Sequence, residues 1–148
     1  VQTFNWYEKN KQKTNAVGAI LQARTTGRVL LGCRSTSSDS PLTWCNFGGG
    51  IELGEDPLAA LAREFAEEIG LRIALDVSRA TPLAVFKSPA KDFAFFTLYL
   101  QVASEFIPQL NNEHVGWGWA SVTALPRPMH PGCNDTFNLP AVAARLAR

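Results

Sequence analysis

The stretch from Gly49 to Leu71 reads GGIELGEDPLAALAREFAEEIGL, and it joins an apolar helical pattern to a knot of carboxylates. Asp56-Pro57 predicts a helix start: Asp56 can accept a hydrogen bond from a free amide, and Pro57 loses nothing at the first helical position. Gly70 supplies the left-handed residue that commonly stops a helix. Between them Leu58, Leu61, Ala62, Phe65 and Ile69 recur at three- and four-residue steps, which predicts one buried stripe. At about 100° per residue, Glu64, Glu67 and Glu68 fall in an arc of roughly 100° beside that stripe. Arg63 precedes Glu67 by one turn and can reach it.

A solvated acidic face is the ordinary fate of such a cluster, and energetics oppose that reading here. Like charges at i,i+4 repel, and carboxylates in a last turn oppose the negative end of the helix dipole. A divalent cation removes the conflict. Ligands that are all carboxylate oxygens suit a hard ion, Mg²⁺ or Mn²⁺, in preference to zinc. Mg²⁺ held by few protein carboxylates completes its shell with water and substrate phosphate, so the pattern points to phosphate chemistry.

Gly48, Gly49 and Gly50 follow the apolar WCNF. A triple glycine there predicts a bulge or tight turn ending a strand, or backbone amides free to approach a phosphate. Elsewhere AVGAILQAR (Ala16–Arg24) and RVLLGCRS (Arg28–Ser35), joined by TTG, predict a hairpin. STSSDSPLT (Ser35–Thr43) is a polar loop, and FAFFTLYLQVA (Phe93–Ala103) is apolar on both faces, as a central strand is. LAVF (Leu83–Phe86) is expected to pair with it across KSPAKD, and GWGWASV (Gly116–Val122) is a further strand. RPMHPGC (Arg127–Cys133) is expected to be irregular because of its prolines, and NLPAVAARLAR (Asn138–Arg148) to be a short helix. These elements describe one mixed α/β domain spanning residues 1–148.

Composition narrows the function classes. Of 148 residues 46% are hydrophobic and 18% charged, which favours a packed domain over a disordered one. No apolar run approaches the roughly 20 residues a membrane span needs. The opening VQTFNWYEKNKQKTN lacks a charged head followed by an apolar segment, so no secretory leader is expected. Cys33, Cys45 and Cys133 are odd in number and widely spaced, which argues against a disulfide framework and for a cytoplasmic location. With a formal net charge of +1 and no Lys/Arg run, Lys9, Lys11 and Lys13 read as a solvated arm, and no nucleic-acid partner is expected.

The offsets around the acidic helix resemble a known motif. Gly49, five residues, Glu55, seven residues, then Arg63-Glu64-Phe65-Ala66-Glu67-Glu68-Ile69-Gly70-Leu71 is similar to the full Nudix box, G-x5-E-x7-R-E-U-x-E-E-x-G-U. The resemblance implies a Nudix-type α/β/α sandwich, with a mixed sheet between helices and the box as loop–helix–loop. It implies Mg²⁺-dependent hydrolysis of a nucleoside diphosphate linked to another moiety. Substrates to weigh are a nucleoside triphosphate (oxidised or not), ADP-ribose and a dinucleoside polyphosphate. Glu64, Glu67 and Glu68 would bind metal, with Glu55 adding a carboxylate, while Arg63 would orient the glutamates by a salt bridge. Gly49 and Gly70 would hold the loops, with Phe65 and Leu71 anchoring the helix.

The proton acceptor is then Glu67 or Glu68, or Glu113 in the loop LNNEHVGWGW, because family members also take the base from a loop outside the box. Arg34, at the end of the second strand, and the Gly49 and Gly50 backbone are the candidates for substrate phosphates. Trp44, Trp117 and Trp119 are candidates to stack on a base, and His114 reads as a surface histidine, with donation to a phosphate as the alternative. Two other classes stay open: a nucleotide-sensing Nudix domain without turnover, and a prenyl diphosphate isomerase using a cysteine such as Cys45. The expected assembly is a monomer or homodimer.

Overall fold

The computed structural model describes residues 15–70, 72–88 and 93–147. Leu71, the lysines Lys9, Lys11 and Lys13, and residues 89–92 of the KSPAKD loop lie outside the described residues.

Strand β1 (Asn15–Ala23) is buried along its whole length, because it is paired on both edges and covered on both faces of the sheet. One edge runs parallel to β6 (Ala94–Val102), from Ala16↔Phe95 to Ala23↔Val102. The other edge is shared. Near its end Gln22 faces Val29 of β2 (Val29–Arg34), so the expected hairpin exists at its base only. Beyond that point β1 and β2 diverge, and the chain from Trp44 to Ile51 enters the wedge. Strand β3 (Trp44–Cys45) pairs with β2, and after Asn46 strand β4 (Phe47–Ile51) pairs with β1. Strand β5 (Thr81–Lys87) lies antiparallel to β6, and β7 (His114–Ala120) antiparallel to β2. The result is a seven-stranded mixed sheet.

The three glycines were expected to end a strand, and instead they lie inside β4. Gly48, Gly49 and Gly50 stand opposite Gly18, Val17 and Ala16. Backbone pairing with β1 supplies the stability that side chains here do not. At Gly48 the strands come so close that a Cβ would sit 2.2 Å from the Val17 carbonyl oxygen.

Helix α1 (Pro57–Glu68) covers one face of the sheet. Asp56 caps it by accepting from Ala59 N at 2.9 Å, and Gly70 follows it with φ +110°. Leu61, Phe65 and Ile69 pack on Val17, Ala19 and Leu21 of β1 and on Phe96, Leu98 and Leu100 of β6, as strand alternation requires. Burying each such side chain fully contributes about 1.5–3 kcal/mol. Ala62 is exposed and Ala60 buried, because the buried face is turned from the apolar stripe toward Glu64 and Glu68, which the periodicity of apolar residues alone does not show.

The other face is covered by α2 (Pro131–Phe137) and α3 (Pro140–Leu146), which pack Cys133, Phe137, Val142 and Leu146 on Ile20, Leu31 and Tyr99. Pro131, Gly132 and Cys133 were expected to be irregular and form the first turn of α2. Proline suits that first position, and His130 Nδ1 accepts from Gly132 N at 3.1 Å. Strand β7 starts and ends two residues earlier than GWGWASV. Among the described residues no helix is long and apolar enough to cross a membrane.

One buried polar side chain ties the far layer to the sheet. Gln22 Nε2 donates to Gly27 O at 2.9 Å and Leu146 O at 3.0 Å, while its Oε1 accepts from Tyr99 Oη at 2.6 Å. Gln22→Leu fills the same volume and strips partners from three groups. It is expected to lower unfolding free energy by about 2–3 kcal/mol, read from the urea midpoint at unchanged m-value.

Candidate functional site

A cleft of about 540 Å³ opens where β1 and β2 part. Its walls are the end of β2 with the serine-rich loop after it, the β3–β4 passage, the inner face of α1, and the loop entering β7. The site follows from the bare backbone of β4. Because Gly48 and Gly49 carry no side chains, α1 approaches β4 closely enough to press two carboxylates against it. A Cβ on Gly49 would lie 2.4 Å from Glu64 Cδ, so glycine at that position makes room for Glu64.

Glu64 and Glu68, one turn apart, are buried at 7% and 3% exposure and point into the cleft. Glu67 projects outward with half of its side chain exposed. A shared arc did not separate them in the sequence, since Glu67 sits on the outer flank of Glu64 and Glu68 on the inner. From across the cleft Glu113 completes a cluster: ligand oxygens of Glu64, Glu68 and Glu113 lie within 4.8 Å of one another. Glu113 is held by its backbone, its N–H donating to Asn111 Oδ1 at 3.0 Å and its carbonyl accepting from Ser35 N at 2.9 Å.

Arg63 is a hub beside this cluster. Its Nε and Nη2 grip the two oxygens of Glu55 at 3.0 and 2.9 Å, Nη1 donates to Glu64 Oε1 at 2.8 Å, and Nη2 also reaches Gly50 O at 2.8 Å. The expected contact to Glu67 is longer, 3.7 Å. Glu55 therefore stands apart from the Glu64–Glu68–Glu113 cluster, both its oxygens occupied by Arg63, which holds its carboxyl below the usual range.

The cluster is electrostatically costly. Burial, and then the neighbouring Glu113 carboxyl, push the Glu68 carboxyl up to about 9, against the Gly48 N–H that donates to its Oε1 at 2.8 Å. Burial also raises Glu64, opposed by Arg63. Two buried carboxyls beside a third cannot all be ionised cheaply without a cation between them.

Three buried side-chain atoms among the described residues have no hydrogen-bond partner: Arg34 Nε, Asn46 Oδ1 and His114 Nδ1. All three belong to residues lining the cleft. Arg34 is anchored at its far end by Asp39 of the polar loop. Asn46 Nδ2 donates to Cys133 Sγ at 3.2 Å. His114, expected at the surface, is buried, because it opens β7 and packs inward on Phe47 with ring centroids 4.7 Å apart. Neither Asn46 nor His114 carries a local signal in sequence; the strand crossing and a bulge between Cys33 and Arg34 place them. Trp44, Trp117 and Trp119 do not line the cleft, and Trp119 instead donates from Nε1 to Phe106 O at 2.9 Å.

The sequence matches the NUDIX domain family over residues 12–138. Among solved structures it is similar to the MutT NUDIX hydrolase from Burkholderia pseudomallei, with 26% identity, 83% of this chain and 95% of that one covered, and a TM-score of 0.61. RenU, a Nudix hydrolase from M. smegmatis, shares the fold at 20% identity and a TM-score of 0.69, with 93% and 89% covered. So does the E. coli dihydroneopterin triphosphate pyrophosphohydrolase, at 22% identity and a TM-score of 0.54, with 74% and 81% covered. No curated protein sequence matches the chain.

Proposed function

The chain belongs to the Nudix hydrolase family, and on that premise we propose that it hydrolyses a pyrophosphate bond of a nucleoside diphosphate linked to another moiety, using Mg²⁺ or Mn²⁺. The observation that carries this reading is the convergence of Glu64, Glu68 and Glu113 within 4.8 Å. The donor set fits a hard divalent ion, since every ligand atom is a carboxylate oxygen and a cation lets the two buried carboxyls ionise side by side. When bound there, such an ion supplies charge neutralisation for the diphosphate and lowers the pKa of attacking water.

The rest falls to the chain's own groups. Glu64 and Glu68 are the inner ligands, each held in place, by Arg63 and by the Gly48 N–H. Glu67 stands at the rim, able to join the shell through water. Glu113, the exposed member of the cluster, is the best placed to accept the proton of the attacking water, ahead of Glu67. Arg34 lines the cleft and brings a guanidinium charge for a phosphate oxygen, and the Gly49 and Gly50 backbone offers an approach without side-chain obstruction. Arg63 has no such freedom, because it is spent on Glu55, Glu64 and Gly50 O, and it positions ligands. We further assign the chain as a single Nudix domain, cytoplasmic, acting as monomer or homodimer on a nucleotide-type small molecule.

The test is a panel of nucleoside triphosphates, ADP-ribose and dinucleoside polyphosphates incubated with Mg²⁺, with products separated by chromatography. At least one member is expected to be cleaved at a phosphoric anhydride, and EDTA to abolish the cleavage. Tight binding of one member with no turnover of any would favour the nucleotide-sensing alternative.

A further inference from the structure

We propose that His114 is a positioning residue for the cation site, acting through Glu68 by a hydrogen bond from Nδ1–H to Oε2. The inference rests on the reading of Glu64, Glu68 and Glu113 as ligands.

The ring is held in a made seat. Phe47 lies against it, tilted by 48°. Gly32 lies against both rings, where a Cβ would come 2.6 Å from His114 Cδ2 and 2.8 Å from Phe47 Cζ. Glycine at that place leaves the imidazole its room.

A ring buried only for packing would not carry an unpaired nitrogen. His114 Nδ1 has no hydrogen-bond partner, and a buried polar atom left so costs about 1–3 kcal/mol. Phenylalanine would fill the seat without that cost. The carboxylate it faces is Glu68, with Oε2 at 3.7 Å. A shift of about 0.8 Å would bring the pair to an ordinary N–H···O distance. The opposite oxygen of Glu68 already accepts from Gly48 N at 2.8 Å. Closing the second contact would fix the carboxylate by a donor on each oxygen, with lone pairs left for a cation. The same strand start places Glu113 next to His114, so one seat sets the position of two ligands.

The test compares His114→Phe, which keeps the ring and loses the donor, with His114→Asn, whose amide N–H stands close to where Nδ1–H stood. Mn²⁺ affinity is titrated calorimetrically on the substrate-free protein, with thermal melts to verify folding. His114→Phe is expected to weaken Mn²⁺ about tenfold or more, and His114→Asn to stay within about threefold of wild type. Raising Mn²⁺ should restore turnover of the Phe variant. Wild-type affinity in His114→Phe would overturn the proposal, and so would equal losses in both variants, which would assign the effect to ring packing. A wild type that neither binds Mn²⁺ nor cleaves any of the panel would remove the parent reading and this one with it. Normal wild-type behaviour with an unaffected Phe variant removes this one alone.

Discussion

Glu68→Gln is expected to cut turnover of the cleaved substrate by about three orders of magnitude while leaving the folded protein at least as stable as wild type. The two effects have separate origins. Glutamine keeps the shape of the side chain, and its carbonyl can still accept from Gly48 N, so α1 stays docked on β4. What disappears is one negative charge from a cluster whose other members are Glu64 and Glu113. Loss of a charged inner ligand removes several kcal/mol of stabilisation for charge developing at phosphorus, hence the thousandfold estimate. In the folded protein without cation, burial and then Glu113 hold the same carboxyl protonated at neutral pH, and the neutral amide spares folding the cost of that protonation. A chemical denaturation curve in EDTA reads the second effect, and a steady-state rate at saturating Mg²⁺ reads the first. Unchanged turnover would dismiss Glu68 as a ligand, and a large loss of stability in EDTA would make it a structural group.

That opposition between folding and function explains what the sequence could reveal. Carboxylates at the unfavourable end of a helix stand out against local physics, so Glu64, Glu67 and Glu68 are legible in the sequence as candidate ligands, of which the structure brings Glu64 and Glu68 together and leaves Glu67 at the rim. The inward turn of Glu64 and Glu68 was not, because it depends on β4 offering bare backbone at Gly48 and Gly49 on the opposite side. The glycines were legible as a special place and their reason was not. Gly49 admits a carboxylate, a contact between residues fifteen positions apart that no local pattern encodes. Strands β5 and β6 were visible from apolar runs, whereas the divergence of β1 from β2, which creates the cleft, arises from how the β3–β4 passage inserts. Glu113 was accessible to reasoning as a loop carboxylate before a strand. His114 beside it reads from sequence as a surface residue and is buried, since the register that turns it inward is set by pairing with β2 across a bulge.

Arg63→Ala is expected to lower kcat about a hundredfold with little change in KM, and to cost about 2–3 kcal/mol of stability. The guanidinium spans Glu55, Glu64 and Gly50 O, so its loss strands a nearly buried carboxylate and frees Glu64 to rotate away from the cluster. The stability figure is set below that of a fully buried pair, because the Arg63 side chain is 28% exposed and water screens part of the interaction. Lysine cannot replace it, since a single ammonium cannot hold both oxygens of Glu55 while reaching Glu64 and the Gly50 carbonyl. A large rise in KM with kcat preserved would show that Arg63 touches substrate. The role of Glu55 follows from the same experiment. If Glu55 serves only to hold Arg63, Glu55→Gln slows turnover less than Arg63→Ala does, and the double variant is no slower than Arg63→Ala alone. If Glu55 instead reaches the cation as a further ligand, its loss adds to that of Arg63, and the double variant falls well below either single one.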